Sequence, residues 1–278
     1  MNAPARIGTV IASLDDSPEA PVALPVARPL ADLERAVLRI VHTGAPAPAA
    51  AIAAALGLDA QTLAGGVVEH RDGPTAAAVV AAAAETAPAI VVIAAHAGDP
   101  AADTGLGAVA RAILCTAPCP VVVVPPARGR TPWTLRRVLL PYDARPTTAH
   151  AVCHAAVLAE RAAATVDVLY VGECGAAPPR EQGALPAPSY VDQPQHEWPA
   201  WVDELLDRLR AECPLDPTCV HLSLGHGDPG SAIVRWGREH DDDLIVLGWS
   251  GMLDAAHGTT LRAVVRDAPC PVLVFRVA

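Results

Sequence analysis

Lysine is absent from this 278-residue chain, and all twenty of its basic residues are arginine. That excludes a Walker-type phosphate loop, which needs its lysine, and it excludes Schiff-base chemistry and a lysine general base. Aromatics are scarce too, with one Phe and three Tyr in a chain that is 52% hydrophobic. The cores must therefore be built from Ala, Val, Leu and Ile, which suits buried parallel strands covered by alanine-rich helices. Nor is there a broad basic surface. The net charge is −10, and only 128–137 is locally basic, whereas nucleic-acid binding needs an extended positive patch. The expected partners are small molecules or protein, with neither nucleic acid nor membrane. No apolar run approaches the ~18 residues of a membrane span; the longest, 76–84, stops at Glu85 and reads as a helix. The first residues lack the apolar core of a secretion signal. The seven Cys form no Cys-x-x-Cys pair, so they read as reduced packing residues rather than a zinc site or disulfide framework. The expected location is cytoplasmic.

What the chain does contain is itself, twice. Ile11-Ala12-Ser13-Leu14-Asp15 stands 128 residues before Leu139-Leu140-Pro141-Tyr142-Asp143, and Val41-His42-Thr43-Gly44 stands 128 before Leu169-Tyr170-Val171-Gly172. Further on, Asp72-Gly73-Pro74 precedes Gly227-Asp228-Pro229 by 155, and Ala117-Pro118-Cys119-Pro120 precedes Ala268-Pro269-Cys270-Pro271 by 151. One jump of 27 residues locates an insertion between Gly172 and Gly227, with the proline-rich stretch 174–199 as its candidate. The expected organisation is a first domain at 1–126, a linker at 127–135 and a second domain at 136–278. Such a length is also near the limit of what a single core usually serves, which mildly favours two domains.

Each copy alternates short β-branched runs with helical patterns. In the second copy strands are expected at 138–142, 165–171, 220–224, 244–247 and 272–277, with helices at 147–161, 198–213, 230–240 and 260–266. Strands that are apolar throughout and separated by helices are parallel and covered on both faces. The fold class is therefore α/β, two tandem doubly wound domains, each a five-stranded parallel sheet with helices on both faces. In the first copy the opening helix must pass Pro18, Pro21, Pro25 and Pro29, so it is expected to be kinked or partly unwound.

In open parallel sheets ligands bind beyond the carboxyl ends of the strands, where the strand order reverses. Asp143 and Asp15 follow the first strand of each copy. After the fourth strand of the second copy comes Gly248-Trp249-Ser250-Gly251, then, six residues on, Gly258-Thr259 opening the last helix. Glycines allow close backbone approach, and free amides at a helix start suit a phosphate.

Leu140-Pro141-Tyr142-Asp143, Gly227-Asp228-Pro229, Gly248-x2-Gly251 with Gly258-Thr259, and Ala-Pro-Cys-Pro-Val before both last strands together resemble the universal stress protein family, in the form that joins two domains in one polypeptide. The resemblance covers nearly the whole chain except insertion and linker. Family members divide into adenine-nucleotide binders and non-binders by a Gly-x2-Gly-x9-Gly-Ser/Thr signature. The second copy carries Gly-x2-Gly-x6-Gly-Thr, three residues shorter. The resemblance implies that this copy binds ATP or a related adenine nucleotide, with Mg2+ accompanying it. Asp143 would meet the ribose or adenine, Val171 the base, and Gly248, Gly251, Gly258, Thr259 and Thr260 the phosphates, with Pro141 and Leu247 completing the set. The first copy has Ala95-His96-Ala97-Gly98 and Gly107-Ala108 instead, losing a glycine and the hydroxyl; its glycines read as strand-to-helix turns. The resemblance also implies pairing of the two domains through strands 121–124 and 272–275, which one tandem chain can satisfy internally, and it admits a homodimer.

Rival signals are weaker. Gly248-Trp249-Ser250-Gly251 is not a nucleophile elbow, because Met252 stands where that motif needs glycine. His150 and His154 share a helix face but have no third ligand nearby. Asp241-Asp242-Asp243 reads as a solvated turn at the end of the sheet opposite the ligand. Trp198 and Trp201 read as packing residues and Trp249 as part of the nucleotide loop. No residue set supports fast catalysis. The expected function is a stress-response regulator that senses an adenine nucleotide; the alternatives are a scaffold of the same fold with no ligand, or a slow ATPase.

Overall fold

The computed structural model describes residues 6–95, 106–143, 149–172, 204–207, 209, 219–249, 251 and 258–276. The insertion 174–199 and most of the helix expected at 198–213 lie outside them, though 204–207 and 209 are helical.

The first half contributes strands β1 (Thr9–Leu14), β2 (Val37–His42), β3 (Val67–His70), β4 (Ala89–Ala94) and β5 (Val121–Val124). Its helices are α1 (Leu24–Glu34), α2 (Ala49–Ala55), α3 (Ala60–Leu63), α4 (Thr75–Glu85) and α5 (Ala108–Thr116). The second half contributes β6 (Arg137–Pro141), β7 (Thr165–Gly172), β8 (Val220–His226), β9 (Leu244–Trp249) and β10 (Val272–Arg276), with helices α6 (Ala149–Ala162), α7 (Pro229–Glu239) and α8 (Thr259–Asp267).

All ten strands form one sheet in the order β3-β2-β1-β4-β5-β10-β9-β6-β7-β8. Each half is a doubly wound parallel sheet with the first strand beside the fourth, and the halves run in mirrored order. They meet at the sheet's one antiparallel junction, where Val272, Leu273 and Val274 pair with Val123, Val122 and Val121. The expected pairing through the last strands is therefore present within the chain. It removes two apolar edges that would otherwise template aggregation.

Residues of β1, β4 and β5 are buried along their whole length, as strands covered on both faces require. Alternate residues feed two apolar layers. Val10, Ala12 and Leu14 join α1, α6, Val138 and Leu140 on one face, while Ile11, Val91 and Ile93 join α4, α5, α8 and Leu139 on the other. Both layers continue across the β5–β10 junction. The alanine-rich α4 buries Ala78, Val79, Ala82 and Ala83, a stripe set by the 3.6-residue period.

The prolines of the opening helix act as expected. Ala20–Ala23 forms a tighter 3-10 turn with proline at its start, and α1 follows with another proline in its first turn and Pro29 inside it. The duplication also persists in the backbone. Arg35 and Ala163, 128 apart, both leave their helices in the left-handed conformation at φ 51°. Gly73 and Gly227, at φ 99° and 96°, each precede the N-cap of the helix that follows the third strand. Aligned on these glycines the offset is one residue shorter than the Pro74–Pro229 match, because Pro74 caps its helix whereas Pro229 is the first residue inside one.

The basic stretch 128–137 is spent on structure. Arg130 donates to the carbonyls of Leu56 and Gly57 at the end of α2. Trp133 Nε1 donates to the Asp243 carbonyl at 2.9 Å, and Arg137 pairs with Asp167 at 3.0 Å. This stretch is thereby fastened to both halves. Across the junction, Arg161 of α6 pairs with the buried Glu34 of α1, and the His154 ring lies 4.4 Å from that of Phe275. His154 is thus a packing residue; the side chain of His150 lies outside the described residues.

Candidate functional site

The strand order of the second half reverses between β6 and β9. Their ladder covers only Val138–Leu244 and Leu139–Ile245, while on their outer edges the two strands pair with β7 and β10 over longer stretches. A doubly wound sheet takes its ligand beyond the carboxyl ends of the strands at such a point of reversal.

The sequence-predicted residues fall in or just after the carboxyl-terminal halves of β6, β7 and β9 and at the start of α8. Pro141 ends β6, half-buried, and Asp143 is exposed two residues on; Val171 is half-buried near the end of β7. Gly251 and Gly258 both adopt left-handed backbone, at φ 90° and 75°. Gly258 is the N-cap of α8, so the amides of Thr259 and Thr260 belong to its first turn. A side chain at either glycine would strain the backbone. Free first-turn amides carry the positive end of the helix dipole, which suits an anion.

The start of α8 is braced by α7. Asp228 caps α7, its carboxylate accepting from the Ser231 amide at 2.9 Å and the Ser231 hydroxyl at 2.8 Å. The backbone bond chiefly, then the hydroxyl bond, holds its pKa below the ordinary value. A Cβ at Gly230 would stand 2.6 Å from Ala263 Cβ and 3.7 Å from Thr260 Cα. Only glycine admits the two helices at this distance.

The structure departs from the sequence reading at three points. First, β9 does not stop at Leu247: Gly248 pairs with Phe275 and Trp249 with Arg276. Backbone pairing needs no side chain, so a glycine did not end the strand. Trp249 is consequently a strand residue buried in the apolar layer with Leu247 rather than part of the loop. Leu247, also buried, has only its backbone to offer a ligand.

Second, the turn after His240 is only partly solvated: Asp241 is exposed, but Asp242 and Asp243 are not. Asp243 accepts from the amides of Arg136 and Arg137 through Oδ2 at 2.9 and 3.1 Å. Asp242 is buried, both its carboxyl oxygens lack hydrogen-bond partners among the described residues, and Arg137 Nε lies 4.0 Å away. Burial first, then the charge of Asp167, raises the Asp242 pKa to about 7 against the opposing pull of Arg137. The turn closes the amino end of the sheet, and covering that end is what buries it.

Third, sequence reasoning missed Arg276 at the end of β10. Its guanidinium lies against the glycine turn, with Nε 3.0 Å from where a Cβ on Gly251 would sit. Only the register of β10 on β9, which sets Arg276 opposite Trp249, could have signalled it.

The first half presents a different edge. Gly107 caps α5 at φ −58°, a conformation open to any residue, and Leu106 is buried in the apolar layer. Asp15 accepts from the amide and hydroxyl of Ser17. Asp16 is bonded to His42 Nε2 and to the Ala45 amide, each at 3.2 Å, and a Cβ at Gly44 would fall 2.0 Å from its carboxylate. These polar groups are spent on one another. Among the described residues no group of three His, Cys, Asp or Glu could hold a metal ion. The described cysteines form no disulfide; burial raises the Cys119 pKa to about 11 and that of Cys270 further, which keeps both unreactive. Among the described residues no helix is long and apolar enough to cross a membrane.

Two doubly wound parallel sheets fused through their last strands, with two left-handed glycines near the strand-order reversal of the second, define an α/β protein of two related halves. The chain belongs to the universal stress protein family, whose model matches residues 53–125 and 134–276. Its fold is similar over almost its full length to that of a functionally unknown protein from Pseudomonas aeruginosa PAO1, with TM-score 0.66, 19% identity, and coverage of 98% of this chain and 93% of that one. It is similar also to a universal stress protein from Archaeoglobus fulgidus DSM 4304, with TM-score 0.64, 16% identity, and coverage of 97% and 96%. No curated protein sequence matches it.

Proposed function

We propose that the chain is a tandem stress protein whose second domain, 136–278, binds ATP or a related adenine nucleotide as a regulatory signal. The first domain, 1–126, supplies fold and pairing, joined by the linker 127–135. The observation that carries this reading is the left-handed pair Gly251 and Gly258 beside the first turn of α8, set at the edge where β6 and β9 part. In this reading the amides of Gly251, Gly258, Thr259 and Thr260 take the phosphates. Pro141, Asp143 and Val171 line the nucleoside end, Leu247 and Gly248 contribute backbone, and Mg2+ accompanies the phosphates.

The test is mass spectrometry of the purified protein for retained nucleotide, together with a thermal shift on adding ATP. At a ligand concentration of 100 Kd the gain in stability is ~2.7 kcal/mol, which moves the melting temperature by several degrees. Gly258→Val should abolish the shift. Absence of both nucleotide and shift in the parent chain would replace this reading with a scaffold of the same fold. Turnover of labelled ATP that Asp143→Ala removes would make the protein a slow ATPase.

A further inference from the structure

Arg276 is placed to do more than end a strand. Its Nε, Cζ and Nη2 lie 3.0, 3.6 and 3.6 Å from the position of a Cβ on Gly251, so the guanidinium is laid along the turn that opens the glycine loop. It is exposed, and it has no carboxylate partner among the described residues. Among the described residues its one hydrogen bond crosses to the other half of the molecule: Nη1 donates to the Cys115 carbonyl at 3.0 Å, in the last turn of α5. A helix C-terminus carries partial negative charge and attracts a cation, weakly when exposed. A phosphate attracts it more strongly, through parallel charge-assisted hydrogen bonds that the planar guanidinium is shaped to make. The chain has no lysine to serve instead.

We propose that Arg276 is a phosphate-binding residue of the second-half site. It selects phosphorylated over unphosphorylated ligands, and it exchanges its bond to Cys115 for one to the ligand. Occupancy of the second half is thereby felt at α5 of the first. This rests on the nucleotide reading for the ligand but assigns a residue and an inter-half link that reading does not contain.

The experiment measures affinity for ATP, pyrophosphate and adenosine by calorimetry on the full chain, for the parent and for Arg276→Ala and Arg276→Lys. Removing a charge-assisted bond costs roughly tenfold in affinity or more. Arg276→Ala should weaken ATP and pyrophosphate by at least that factor and leave adenosine unchanged. Arg276→Lys should recover part of the loss, because it restores charge but not the fork. Amide exchange in 112–116 should quicken when ATP binds the parent and should not respond in Arg276→Ala. An equal effect of Arg276→Ala on ATP and adenosine, or none on either, overturns the inference while leaving the nucleotide reading standing. A parent chain that binds neither ATP nor pyrophosphate overturns both. Unchanged melting of the two variants separates these results from misfolding.

Discussion

Asp242 offers a test of the buried end of the second half. In an unfolded chain its carboxyl ionises near 3.8, while in the fold it ionises near 7. Between those values the folded state keeps a proton that the unfolded chain has released. Stability therefore falls as pH rises through this window, by ~1.4 kcal/mol per pH unit for one group. The loss totals about 4 kcal/mol and is complete above pH 7; below pH 4 it vanishes. The side chain is fully buried and its nearest cation, Arg137, stands 4.0 Å away and already serves Asp167, so solvent relieves little of this cost. Asp242→Asn removes the ionisation and nothing else that titrates. The assay is urea unfolding of parent and variant at pH 4 to 8, compared as a difference so that the ten histidines cancel. The stability of Asp242→Asn relative to the parent should climb by about 4 kcal/mol across the range, whatever constant offset the amide introduces. A difference constant within about 1 kcal/mol would refute the reasoning and mean that water reaches the carboxylate.

Other perturbations probe the packing that holds the site. Gly230→Ala forces α7 from α8 and should cost ~1–3 kcal/mol by denaturant midpoint, with partial rescue by Ala263→Gly; no cost would mean that the helices yield freely. Arg161→Ala leaves the Glu34 carboxylate, 4% exposed, without its cation and should cost about 3 kcal/mol. Adding Glu34→Gln should return most of that loss, and a cost below ~1 kcal/mol in the single variant would show that the pair contributes little to joining the halves. Gly73→Ala and Gly227→Ala each place a side chain at positive φ and should each cost ~1 kcal/mol. Markedly unequal costs in the two variants would argue against equivalent turns in the two halves.

Much of this molecule was legible in the order of its residues. Apolar runs such as Val121–Val124 can only be strands covered on both faces, and the 128-residue spacing of Asp15 and Asp143 places an aspartate just after the first strand of each half. Gly251 and Gly258 announced backbone conformations that other residues resist, and the prolines before Arg35 announced an interrupted helix. These are local properties, set by sterics and periodicity within a few residues. Tertiary structure decided the rest, because charge and polarity take their meaning from what lies across the fold. Asp242 reads as a surface residue until Arg137, Asp167 and the turn close over it. Gly248 reads as the end of a strand until β10 pairs beside it and draws Trp249 into the core. Arg276 has no motif and acquires one only because the register of β10 lays it on Gly251, and because the antiparallel junction brings the end of α5 within its reach.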